Sequence, residues 1–107
     1  MKKTAYKYRV YAAIKESSGY AFNAAGLTFI AEKRTIYGRT KWYITESRTG
    51  KAIYFQYKTL KEAIADTVNN TARAMKPIIE NDTLFKYNLN PELYPVYDIL
   101  KPIWERN

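Results

Sequence analysis

Between Lys33 and Lys51 the chain reads KRTIYGRTKWYITESRTGK. Lys33, Arg34, Arg39, Lys41, Arg48 and Lys51 are interleaved with Tyr37, Trp42 and Tyr43 and stand against one acid, Glu46. That mixture suits one chemistry well. Lys and Arg neutralise phosphates and release their counterions, and flat rings stack on bases or bond to phosphates. The solvated side of a small sheet uses the same residues, because Tyr favours strands and Lys favours water. Lys7, Arg9 and Tyr11 repeat the pattern near the start and would enlarge the patch if they share its face.

Other chemistries are poorly served. The sequence has no cysteine and no histidine. Thiolate nucleophiles, disulfides and the commonest general base are therefore missing. The four glycines, at 19, 26, 38 and 50, are scattered and build no phosphate loop. Most acids follow Glu62 and show no ligand-like spacing, so no metal and no cofactor is expected. Glu32 and Glu46 are read as solubilising acids on neighbouring strands rather than as a catalytic pair. The expectation is a binding protein without enzymatic activity.

Charge sharpens this. The 107 residues carry a net charge of +8. Residues 1–61 hold 13 Lys and Arg against 3 acids, whereas residues 62–107 hold 5 against 7. The positive field thus belongs to the N-terminal half and would draw phosphate backbones or acidic protein surfaces. Lys7, Arg9 and Lys15 interrupt any apolar leader after MKKTA, and no run is long enough to span a membrane. A cytoplasmic location is expected.

The elements that must position the patch follow from periodicity. Tyr6 to Lys15 alternates strictly and is read as one strand with Tyr6, Tyr8, Val10, Ala12 and Ile14 on its buried face. ESSGYAFNAAG is read as a loop. Further strands are expected over 27–37, 40–45 and 52–57, the last two joined as a hairpin by SRTG. In the expected register Ile44 faces Ile53 and Trp42 faces Phe55, on the core side. The reverse side then carries Lys41, Tyr43, Tyr54, Gln56 and Lys58, with Arg48 and Lys51 at the turn. Thr59 and Glu62 form a capping box. The helix behind it runs to about Met75, presents Leu60, Ile64, Val68, Ala72 and Met75 to the sheet, and stops before Pro77. Asn90-Pro91-Glu92 starts a short turn, and Phe85, Tyr87, Tyr94, Tyr97, Ile99 and Trp104 cover one edge. The fold class is α+β: an antiparallel sheet of three to four strands (about 5–58) on one main helix (about 60–75), with a short irregular or helical segment (77–107), all in a single domain.

Two resemblances bear on function. Tyr37 to Ala63, YGRTKWYITESRTGKAIYFQYKTLKEA, is similar to the DNA-binding domains of conjugative-transposon integrases and plant ethylene-response-type proteins. Those lay a three-stranded sheet in the major groove and back it with one helix. The resemblance implies that Arg39, Lys41, Tyr43, Tyr54, Gln56 and Lys58 read DNA. The chain as a whole resembles small Tyr- and Lys-rich accessory proteins of phages and mobile elements. That likeness implies a protein partner instead, a host complex inhibited in the manner of anti-CRISPR or anti-restriction proteins. The expected partner is accordingly a nucleic acid or a nucleoprotein complex, with a host protein as the alternative.

Overall fold

A computed structural model describes residues 3–93, apart from the side chain of Tyr54. It is an α+β structure in which a curled antiparallel sheet packs against one helix of 21 residues. Five strands lie in sequence order: β1 (Lys3–Val10), β2 (Ala13–Ala24), β3 (Leu27–Ile36), β4 (Arg39–Glu46) and β5 (Ala52–Tyr57).

The strand count exceeds the expected three to four because the alternation from Tyr6 to Lys15 runs through a turn. Val10 pairs with Ala13, and Tyr11 reverses the chain at φ 54°. The segment expected as a loop is therefore the greater part of β2. Its small residues serve close approach: a Cβ on Gly19 would lie 2.6 Å from the Ala31 carbonyl oxygen and from Ile30 Cγ2. β2 thus lies tightly against β3 at this point. Its pairing with β3 begins at Tyr20–Ala31, whereas its earlier residues pair with β1.

Pairing fixes two faces. Phe22, Ala24, Leu27, Phe29, Ala31, Ile44 and Ile53 form the core under the helix. Burying each large apolar side chain contributes about 1.5–3 kcal/mol. The opposite face carries Tyr6, Ile30 and Leu93 in a second cluster, with Tyr8 against it. The sheet curls until the free edge of β1 meets the β4–β5 turn, where the Arg9 amide donates to the Gly50 carbonyl at 2.9 Å. Gly50 sits at φ +68°, and a Cβ there would lie 2.6 Å from Leu89 Cδ2 and 3.0 Å from the Arg9 amide nitrogen. No other residue fits both the backbone conformation and the space.

Asn90 locks this closure. It is 1% exposed, and its amide donates to the Lys7 carbonyl at 2.9 Å and to the Ser47 carbonyl at 2.7 Å. Its side-chain oxygen accepts from the Lys7 amide. The turn expected at Asn90-Pro91-Glu92 is a 3-10 turn, Pro91–Leu93, which seats Leu93 on Tyr6 and Ile30.

The helix starts at the expected cap, where the Thr59 half of the capping box forms: the Glu62 amide donates to Thr59 Oγ1 at 3.1 Å. It then departs from the expectation twice. Between α1 (Leu60–Asp66) and α2 (Ala72–Glu80) lies a π-helical turn, Thr67–Thr71. Asp66 accepts here from the Tyr57 hydroxyl, Asn70 Nδ2 and Thr71 Oγ1, and Thr67 Oγ1 donates to the Ala63 carbonyl. The wider turn shifts the phase of the buried stripe. Thr67 and Thr71 face inward, while Val68, expected in the core, is 43% exposed. The rod also continues through Pro77 to Glu80. Pro77 and Arg73 both lie on the exposed side, where water can reach the carbonyl left without its N–H partner.

Candidate nucleic-acid interface

The β3–β4 hairpin is built as its sequence suggests. Ile36 pairs with Arg39 across Tyr37 and Gly38, both at positive φ (52° and 74°), a geometry suited to a two-residue hairpin turn. Glu32 pairs with Tyr43, Arg34 with Lys41 and Ile36 with Arg39, so these six share the face turned away from the helix. Gln56 joins them by pairing with Tyr43. Ile36, Tyr37, Arg39, Lys41, Tyr43 and Gln56 line an open concavity of about 440 Å³. Among the described residues Arg39 and Lys41 form no ion pair.

The register on the β5 side departs from the expectation. Ile44 pairs with Ile53 as read, but the next rungs are Tyr43–Gln56 and Trp42–Tyr57. A bulge puts Tyr54 and Phe55 out of the ladder. Trp42 therefore faces Tyr57, not Phe55, and Phe55 is 59% exposed instead of buried. Tyr57 takes its place against the core.

Lys7 and Arg9 are not on the candidate face. They alternate with Tyr6 and Tyr8, whose side chains lie on it, and so point the opposite way. Arg9 forms an ion pair with Asp82 at 3.0 Å. Asp82 is held below the usual carboxylate range by the Leu84 amide first and by Arg9 as well. Arg48 is also engaged: its Nε donates to the Phe85 carbonyl at 2.9 Å and its guanidinium covers the Phe85 ring at 4.3 Å. Tyr11 caps its hairpin at 98% exposure, beside Lys51, Ala52, Arg9 and Val10 in a second open concavity. Lys58 is exposed in the bend before the helix. The Tyr54 side chain, and Tyr94, Tyr97, Ile99 and Trp104 of the expected aromatic cover, lie outside the described residues. Phe85 is half-buried against the main core, and Tyr87 is 82% exposed.

Two acids read as solubilising surface groups are structural. Glu46 is fully buried and accepts from the Arg48 amide, the Thr49 amide and Thr49 Oγ1 at 2.7–2.8 Å. Burial raises its pKa despite those bonds. Glu32 accepts from the Tyr6 hydroxyl, from Ser17 Oγ at 2.7 Å and from Arg34, whose Nε lies 3.2 Å away. Burial opposes its ionisation, but the bonds from Tyr6, Ser17 and Arg34 prevail and lower its pKa. The Tyr6 hydroxyl is pushed up to about 12, first by burial and then by its bond to Glu32. The Arg34 guanidinium also lies 4.5 Å from the Tyr8 ring centre and 5.6 Å from that of Tyr43. β1, β2, β3 and β4 are thereby tied together on one face. Sequence reasoning missed this network because no local pattern joins Tyr6 to Glu32, 26 residues apart.

No group of three or more potential metal-ligating side chains occurs among the described residues, and no described helix is long and apolar enough to cross a membrane. Comparison with known proteins finds no family model that matches the chain, no similar curated protein and no similar solved structure.

Proposed function

We propose that this protein binds nucleic acid through the β3–β4 hairpin and the adjoining end of β5. The observation that carries the reading is the concavity in which Arg39 and Lys41, free of ion pairs among the described residues, lie beside Tyr37, Tyr43 and Gln56. Unpaired cations give an electrostatic hold on phosphates, and the neighbouring rings and amide add contacts to bases or sugar. Arg34 belongs to the scaffold in this reading, because Glu32 neutralises it. Arg9 is likewise satisfied by Asp82 and is withdrawn from the binding set, as is Lys7 by its face.

The test is binding of the purified chain to labelled duplex DNA, single-stranded DNA and structured RNA, beside the Arg39→Glu/Lys41→Glu variant. Binding by the parent that the double variant loses, with the fold intact by circular dichroism, supports the proposal. Absence of binding by the parent at low salt overturns it. The basic hairpin would then serve solubility or a protein partner.

A further inference from the structure

Tyr11 and Tyr37 are unusual in the same way. Each is the first residue of a two-residue hairpin turn, each adopts a left-handed backbone conformation (φ 54° and 52°), and each is almost wholly exposed (98% and 100%). A bulky residue is costly in that conformation, by roughly 1–2 kcal/mol, where Gly or Asn would sit cheaply. Neither ring repays the cost by burial. The turn geometry does not call for a ring, since Ala25 takes the same place in the β2–β3 turn at φ 53°, so two large rings held wholly in solvent point to a use of their own.

Their surroundings match too. Tyr11 shares a concavity with Lys51 and Ala52, at the start of β5. Tyr37 shares one with Arg39, Lys41 and Gln56, near the end of β5. Ala52 and Gln56 are four residues apart, roughly 13 Å at about 3.3 Å per residue. Between them the bulge puts Phe55 out of the ladder and into solvent. β5 is the last strand of the described sheet and is paired on one side only. Three exposed rings, Tyr11, Phe55 and Tyr37, are thus distributed along one sheet edge, with Lys51 at one end and Arg39 and Lys41 at the other.

We infer that the β5 edge is a track for single-stranded nucleic acid, with Tyr11, Phe55 and Tyr37 stacking on bases and Lys51, Arg39 and Lys41 meeting the phosphates. This rests on the nucleic-acid reading above and narrows it to unpaired strands. Rings can stack only on bases that are not already stacked and paired, so a duplex offers them little. The track takes a short segment, about four to six nucleotides.

The experiment is fluorescence anisotropy with labelled oligothymidylates of increasing length and with a duplex of the same charge. It compares the parent with Tyr11→Asn, Tyr37→Asn, Phe55→Thr and Arg39→Glu/Lys41→Glu. Asn suits the left-handed turns and Thr suits the strand, so the variants should fold; thermal melts check this, and Tyr37→Trp keeps a ring if Asn disturbs the turn. Affinity should rise with length and level off at about five nucleotides, and each ring removed should weaken single-strand binding about tenfold. Duplex binding should be weaker in the parent and unchanged in the ring variants. Ring variants that bind single strands like the parent, or a parent that prefers duplex, overturn the track. If Arg39→Glu/Lys41→Glu still abolishes binding in those cases, the broader nucleic-acid reading stands. A parent that binds neither probe overturns both.

Discussion

The molecule carries two sets of charges that its sequence does not separate. Within the scaffold, Glu32 holds Arg34, Asp82 holds Arg9, and Glu46 is enclosed by the amides of its own turn. Along the β5 side, Arg39 and Lys41 form no ion pair among the described residues and line an open concavity. Both sets look alike in composition. Their difference is geometric: a charge that has found its partner within the fold contributes to closure, and one left facing solvent is available to a ligand. A basic stretch such as Lys33 to Lys51 is therefore not one patch. Arg34 and Arg48 hold the scaffold, while Arg39 and Lys41 face outward.

Breaking the closure should have the largest effect. Asn90→Ala removes two donations and one acceptance at a fully buried site, leaving the Lys7 and Ser47 backbone groups without partners. Chemical denaturation should show a loss of about 3 kcal/mol, since each unsatisfied buried group costs roughly 1–3 kcal/mol. A loss under about 0.5 kcal/mol, the range of ordinary surface changes, would mean that the curl does not depend on this staple.

The outward set should behave oppositely. Arg39→Glu/Lys41→Glu should leave stability within about 0.5 kcal/mol of the parent. Its affinity for nucleic acid should nevertheless drop by at least about tenfold, because two phosphate contacts become repulsions. Unfolding of this variant would place Arg39 and Lys41 with the structural charges and erase the distinction.

The two enclosed acids give a finer comparison through pH. Glu32 has a lowered pKa in the fold. Its stabilisation is present above the unfolded value and lost as pH falls through the folded one. Glu46 has a raised pKa. Its contribution is fully present below the unfolded value and lost as pH rises through the folded one. The Glu32 window lies below the ordinary value of 4.5 and the Glu46 window lies above it. As acid is added, the parent's stability advantage over Glu32→Gln should shrink, while its advantage over Glu46→Gln should grow. Parallel curves for the two variants would contradict the assignment.

The smallest effect concerns strain. Tyr37→Asn should raise stability by about 0.5–1 kcal/mol, because the left-handed turn suits Asn better. A destabilised variant would mean that the ring contributes to the fold and is not held for a ligand.

Much of the architecture was legible where hydrophobic alternation and turn chemistry agree. β3, β4 and β5, the Thr59 cap and the Ile44–Ile53 rung follow from local pattern. The turn at Tyr11-Ala12 did not, because Tyr is a poor turn signal and the alternation continues across it. β2 was hidden by Ser17, Ser18 and Gly19, which read as a loop; Gly19 is there because a Cβ would meet the Ala31 carbonyl and Ile30. The π-helical turn depends on Asp66 gathering three donors, one of them Tyr57 from β5, and no periodicity shows that. For the candidate interface, Arg39, Lys41, Tyr43 and Gln56 came together as alternation dictates. Which cations are free was less legible: Asp82 holds Arg9 across 73 residues, and Glu32, two residues from Arg34, is fixed by the Tyr6 hydroxyl 26 residues away.

The salt dependence of single-strand binding tests the central claim most directly. If Arg39, Lys41 and Lys51 are the phosphate contacts, log affinity should fall against log salt with a slope of about −2, or roughly twentyfold between about 50 and 200 mM. In Arg39→Glu/Lys41→Glu the slope should flatten to about −0.7 or less, the value of a single remaining contact. An unchanged slope in that variant would show that phosphates are met elsewhere, and the division between held and free charges would not describe how this protein binds.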